Sequence, residues 1–173
     1  DFFTGHILKN NYPDIQVDVS GYEEKEYNQS FDLAISNIPF GDINVLDLNR
    51  SHKSSLYKDR IHNYFFLKAL DDIKSDGLIA FITTSNFADS RSSASLREEL
   101  MYQTNLISSI RLPNTIFSET GTKVTTDIIV LQKTTHRKTK LQPAEEQFIN
   151  TIPLTLNDQK FHINEFLYNN QEN

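Results

Sequence analysis

Cysteine is absent from the 173 residues, and so is tryptophan. Without cysteine there is no disulfide framework, no thiolate metal site and no cysteine nucleophile. The same absence is compatible with a cytoplasmic location, which is the expectation here. Glycine is scarce: Gly5, Gly21, Gly41, Gly77 and Gly121 are all there is, and no two lie within two positions of each other. A Gly-rich loop of the kind that cradles a phosphate or cofactor therefore does not occur in this sequence. No apolar run approaches the roughly 20 residues of a membrane helix, and no basic-then-apolar signal segment opens the chain. Positive charge is also short, with 17 Lys and Arg against 23 Asp and Glu and a formal charge of -6. Phosphate binding is carried mostly by Lys and Arg, so this balance argues against a domain that grips nucleic acid by itself. A nucleic-acid enzyme stays open if its basic surface lies in another segment. Methionine occurs once, at Met101, so Asp1 is not a translation start. A processed chain or a piece of a longer one is expected, the piece being favoured.

The length suits one domain, which at this size buries about 70% of the surface of its unfolded chain. Twelve Phe and seven Tyr supply core mass. The spacing predicts a short helix over residues 4–11, capped by Thr4 and ended by Tyr12-Pro13-Asp14. Ile15 to Val19 alternates apolar and polar at period 2, a strand signature, and residues 23–29 read as a polar loop. Phe31 to Ser36 is a nearly continuous apolar strand of the kind covered on both faces. Residues 61–74 carry helical period through Phe66, Ala69, Leu70 and Ile73, with Ser75-Asp76-Gly77 as the stop. Leu78 to Thr83 is a third strand, residues 93–102 a helix, and Leu106 to Leu112 and Val124 to Gln132 two strands joined by a non-helical loop, hence antiparallel neighbours.

Strands alternating with helices predict an α/β fold with a mostly parallel sheet, the last pair forming an antiparallel edge hairpin. Residues 1–133 are assigned to this domain. From residue 134 the composition shifts to a basic, polar linker and then to an Asn/Gln-rich stretch, so residues 134–173 are expected to be a linker and an appendage, or the start of another domain.

Ligands of open parallel sheets bind outside the strands' carboxyl ends. Asn37-Ile38-Pro39-Phe40 stands at such an end. By itself the tetrapeptide also fits a plain strand-to-loop turn, since Asn and Pro favour turns. After Phe31 to Ser36, however, it resembles the Asn-Pro-Pro-Tyr/Phe motif of the amino-methyltransferases, with Ile38 in place of a proline. The ordered set is more specific: Asn37-Ile38-Pro39-Phe40-Gly41-Asp42, Ile61-His62-Asn63-Tyr64-Phe65-Phe66, Arg111-Leu112-Pro113-Asn114-Thr115 and the stretch from Thr122 to Lys133. Over residues 1–133 the chain resembles the N6-adenine DNA methyltransferases related to type I restriction-modification M subunits, a group that includes helicase-fused methylases of bacterial mobile elements.

That resemblance implies a Rossmann-like sheet, N-terminally truncated, and methyl transfer from S-adenosylmethionine to the N6 amino group of an adenine flipped out of DNA. In the family's chemistry the Asn37 side-chain oxygen and the Ile38 backbone carbonyl accept hydrogen bonds from the amino group. Two acceptors favour a pyramidal nitrogen whose lone pair faces the methyl group. Pro39 rigidifies the turn, and Phe40 stacks on the base, a contact worth about 1–3 kcal/mol. The position of Ile38 contributes a backbone carbonyl, so the departure from proline is mild. Cytosine-C5 methylation, which needs a cysteine nucleophile, is excluded. Tyr22 and Glu23 fall where the family contacts the cofactor adenine; a solvated loop with one aromatic packed inward is the competing reading.

The family's Gly-rich cofactor turn is missing from this sequence, which implies that the isolated piece is inactive. Implied partners are DNA and, in the parent protein or complex, a specificity or helicase module. Other planar amino groups, a glutamine amide or an RNA adenine, suit the same two-acceptor logic, and a non-catalytic DNA-associated module is the alternative from another class. The five histidines are scattered without metal-ligand spacing, so no metal site is expected. His62-Asn63 opens a helix near the turn, as structure or as a DNA contact. Lys58, Arg60, Arg91 and Arg97 read as solvated surface or phosphate contacts. Arg111 to Asn114 reads as a structural turn without an assigned chemical role.

Overall fold

Phe31 to Ser36 is apolar but not covered on both faces, which corrects the expectation drawn from its pattern: Phe31, Leu33 and Ile35 are exposed, and helices pack on the other side of the sheet only. The structure, a computed structural model, describes residues 2–39, 41, 45, 47, 56, 60–116 and 124–171. Helix α1 (Phe2–Asn11) and a single 3-10 turn (Tyr22–Glu24) lead to strand β1 (Phe31–Asn37). Helix α2 (Ile61–Asp72) returns the chain to β2 (Ile73–Thr84), and the short α3 (Asn86–Asp89) and α4 (Ala94–Gln103) lead to β3 (Thr104–Leu112) and β4 (Thr126–Lys133). Helix α5 (Pro143–Ile149), the hairpin of β5 (Thr151–Leu156) and β6 (Gln159–Asn164), and α6 (Glu165–Asn169) complete the described chain.

The main sheet has the order β1-β2-β4-β3. β1 runs parallel to β2, and β4 is antiparallel to both β2 and β3. Three of the four strands therefore point the same way. The α/β fold with an antiparallel edge pair is as the patterning predicts, with β4 wedged between its two antiparallel neighbours.

Helices cover one face. Phe66, Leu70, Ile79, Phe81, Phe87, Leu96, Leu100, Ile129, Leu131 and Phe148 are buried together there. Phe66 stacks on Phe87 at 4.4 Å between centroids and meets Phe81 edge-on at 5.1 Å. Burial of one such ring stabilises by roughly 1.5–3 kcal/mol, and favourable ring geometry adds about 0.5–1.5 kcal/mol. The opposite face presents Leu33, Ile35, Leu78 and Ile110 exposed.

The tail packs onto the covered face: Leu141 and Phe148 belong to the core, with Ile149 and Phe166 packed against it. α5 starts with Pro143 at its first turn, and the Glu145 carboxylate accepts a hydrogen bond from the Gln142 backbone N–H at 2.9 Å. Such caps offset the orphan donors of a helix start. The β5–β6 hairpin turns on Asn157 and Asp158, both at positive φ (49° and 61°), as a two-residue primed turn requires.

Two further local expectations are corrected. Ile15–Val19 alternates but forms no strand, because a strand needs a neighbour and none pairs with it among the described residues. Ser75-Asp76-Gly77 does not separate helix from strand. β2 starts at Ile73, and the three residues form an irregularity where the register jumps from Phe31↔Ile73 to Leu33↔Leu78. Asp76 takes φ 64°, and a Cβ at Gly77 would stand 3.0 Å from the Lys74 carbonyl and 3.1 Å from that of Asp32. A side chain here would require one of these carbonyls to give way, which glycine avoids.

Candidate active site

Asn37 is the last residue of β1 and pairs with Ile82 of β2. Its side chain is exposed, on the face away from the helices. Ile38 takes the opposite direction: it is 1% exposed and part of the core, and its backbone N–H donates to the Ile82 carbonyl at 2.9 Å. An apolar side chain thus anchors the turn from below while the ladder holds it from the side. The departure from proline at this position has a structural use that the residue pattern alone did not reveal. Pro39 follows, exposed. Phe40 lies outside the described residues.

Tyr22 and Glu23 share the 3-10 turn ahead of β1. The Tyr22 hydroxyl donates to Asp72 Oδ2 at 3.0 Å, and its ring meets Tyr64 edge-on at 6.2 Å and Phe65 at 5.3 Å. The Lys68 ammonium stands 4.8 Å from the ring centroid. Tyr22 is therefore built into the packing around α2. It also lines a cavity of about 370 Å³ beside β1, together with Phe31, Ser36, Phe65 and Asp72. That volume is within the range of small-molecule sites. Of the site residues expected from the sequence, only Tyr22 lines this groove, which runs along β1 as far as Ser36; Glu23, half-buried on the same turn, and Asn37, Ile38 and Pro39 are not part of its lining.

Beneath the turn lies a set of buried polar groups. Tyr64 donates to Asp47 Oδ2 at 2.7 Å, tying α2 to the segment after the turn. His62, in the first turn of α2, has Nδ1 3.3 Å from Thr83 Oγ1, and both residues are buried. Thr83 is opposite Asp127 of β4, which in turn is opposite Arg111 of β3. The Arg111 guanidinium grips Asp127 at 2.9 and 3.0 Å and reaches Asp89 at 3.0 Å.

Burial pushes the Asp127 carboxyl up, against the pull of Arg111. Burial would pull Arg111 down, but its two carboxylates outweigh it and hold the guanidinium above its usual range. The bidentate geometry is that of an ionised pair. Asp127→Asn keeps the volume and removes the charge. Because Arg111 is part-exposed, the expected loss is moderate, about 2 kcal/mol, read as a lower urea midpoint with unchanged slope.

Arg97 is corrected from surface to core: it is fully buried. Asp47 and Asp89 were not singled out by the sequence pattern, and Tyr64, Thr83 and Asp127 entered only within longer stretches, without a role of their own. The signal the sequence offered was one charge in each of two predicted strands, Arg111 near the end of β3 and Asp127 at the start of β4. Among the described residues, no group of three or more His, Asp or Glu is placed to hold a metal, and no helix is long and apolar enough to cross a membrane.

A family model described as N-6 DNA Methylase matches residues 6–163. A Listeria monocytogenes protein described as a class I S-adenosylmethionine-dependent methyltransferase superposes with TM-score 0.54 at 18% identity, over 69% of this chain and 36% of its own. A structure of a type I R-M system gives 0.53 at 17% identity, over 69% of this chain and 25% of its own. A modification subunit assigned to a type I restriction enzyme of Vibrio vulnificus YJ016 gives 0.52 at 19%, over 64% of this chain and 24% of its own. At these identities the likeness is one of fold, and this chain spans between 24% and 36% of the length of those proteins. No curated protein matches the sequence.

Proposed function

The chain belongs to the N-6 DNA methylase family, and on that premise we propose that it carries the target-amine side of a methyltransferase acting on the N6 of adenine in DNA. The observation that carries this reading is the Asn37 turn. The amide is exposed at the carboxyl end of a parallel strand, on a backbone held by the Ile38–Ile82 hydrogen bond and the buried Ile38 side chain. Ligands bind at such strand ends.

The adenine N6 lone pair is delocalised into the ring, so the nitrogen is flat and a poor nucleophile. The Asn37 carbonyl oxygen accepts one amino hydrogen and the Ile38 carbonyl the other. Both bonds favour a pyramidal nitrogen and draw off the charge that develops on it. Pro39 keeps the two acceptors in register, and Phe40 stacks on the extruded base. S-adenosylmethionine, when bound, supplies an electrophilic methyl carbon. Tyr22 offers the cofactor's adenine an aromatic wall in the groove, and Glu23, outside the lining, a carboxylate on the same turn; we assign both to it. The partners in this reading are DNA and a specificity or helicase module, in a cytoplasmic setting.

The full-length protein carrying this chain is incubated with labelled S-adenosylmethionine and DNA, RNA or protein substrates, and the products are digested. Label in N6-methyladenine from DNA supports the proposal. Label in a glutamine amide or in RNA adenine moves the same site to another substrate. The -6 charge favours a second reading, a DNA-associated module without catalysis. It requires that calorimetry detect no S-adenosylmethionine binding.

A further inference from the structure

One residue past the Asn37–Ile82 pair, Ile38 and Thr83 both turn to the helix face, and both are buried. Thr83 is therefore the strand residue beside the anchor of the turn. Its hydroxyl meets His62 Nδ1 at 3.3 Å. His62 and Asn63 are 6% and 2% exposed in the first turn of α2, a place where an apolar residue would pack as well and where burying polarity costs unless it is bonded. A hydrogen bond here fixes where the start of α2 sits over the carboxyl end of the sheet. The hydrogen bond adds a directional constraint to that contact, which the apolar packing of α2 lacks.

We infer that His62, through its hydrogen bond to Thr83, positions the Asn37–Pro39 turn for catalysis. It is a positioning residue, set on the helix face of the sheet, whereas Asn37 projects from the other face. This inference rests on the proposed role of Asn37, but its test separates the two. Loosening the turn leaves both acceptors present and makes their alignment rarer, so kcat falls while binding of S-adenosylmethionine is kept.

The test is a double-mutant cycle in the full-length protein. Thr83→Val removes the hydroxyl with little change of shape, and His62→Ala removes the ring. Each is expected to lower kcat about tenfold, the worth of one neutral hydrogen bond, with KM for S-adenosylmethionine unchanged within about twofold. The pair together is expected to lose about tenfold as well, because both act through one bond. His62→Asn, whose amide reaches the place of Nδ1, is expected to restore most of kcat. Unchanged kcat in Thr83→Val, or a multiplicative loss of about a hundredfold in the double variant, overturns the inference. If His62→Ala does not fold, Thr83→Val and Thr83→Ser decide alone: the serine must retain activity and the valine lose it. Asn37→Ala is run beside them. Full activity in that variant overturns the reading of the turn itself, whereas loss there with none in Thr83→Val overturns only the role of His62.

Discussion

Asn37→Ala is expected to lower methyl transfer by about two to three orders of magnitude, the loss seen when one preorganised group facing developing charge is removed. In the proposed mechanism the amide accepts from the reacting amino group, and its bond strengthens as the nitrogen becomes cationic. The loss therefore falls on kcat more than on KM. Stability hardly changes, because the side chain is exposed and the turn is held by the Ile38 N–H and side chain, not by the amide. An effect within about 0.5 kcal/mol is typical of such surface changes. Asn37→Gln tests placement: the same group moved by one methylene should remain strongly impaired. Single-turnover formation of N6-methyladenine, with thermal unfolding as control, is the measurement. A variant with a third of the parental rate would remove Asn37 from the chemistry.

The second large effect concerns stability. Arg97→Met is expected to cost about 3–5 kcal/mol. Arg97 Nη1 donates to the Phe87 carbonyl at 2.8 Å and to the Ser90 carbonyl at 2.9 Å. Nε and Nη2 donate to the Ile149 carbonyl at 3.2 and 2.7 Å. One planar fork thus joins α3, the turn after it and the end of α5. Burial pulls the guanidinium down to about 10, with Asp89 opposing, so it is charged at neutral pH. Methionine fills the space but leaves three carbonyls without their donor, each costing about 1–3 kcal/mol. Relief of the buried charge offsets part of that sum. Arg97→Lys keeps the charge and loses the fork, so one ammonium cannot serve both ends; about half the loss is expected. Urea unfolding followed by circular dichroism reads both variants, and a cost below about 1 kcal/mol in Arg97→Met would refute this account.

The sheet was legible because its signals are local. Phe31 to Ser36 and Leu78 to Thr83 are apolar runs that form strands as read, although the first is open on one face, and the non-helical link after Leu112 announced an antiparallel pair. The Asn37-to-Phe40 stretch proposed as the catalytic turn stood out for the same reason, four adjacent residues after a strand signal. What escaped was long-range. Arg97 has the pattern of a helix surface, and only the approach of Ile149 from the tail makes it core. The β2 irregularity depends on how close Asp32 comes to Gly77, and Asp127 is explained only by Arg111 across the strand. Ile15–Val19 failed in the opposite sense: a correct local pattern without a neighbour to complete it. The Asn157-Asp158 turn was readable in principle, since two residues that tolerate positive φ sit between two alternating segments.

The wedged position of β4 also dictates an order of assembly. Leu78 of β2 pairs with Gln132, and Leu106 of β3 with Leu131, so β2 and β3 share no ladder and are joined only through β4. During synthesis the β1–α2–β2 unit emerges first and can pair internally, whereas β3 has nothing to join. The last strand of the main sheet to leave the ribosome is the one that closes it, and a chain stalled before Lys133 would expose the apolar edge of β2 to any other strand nearby.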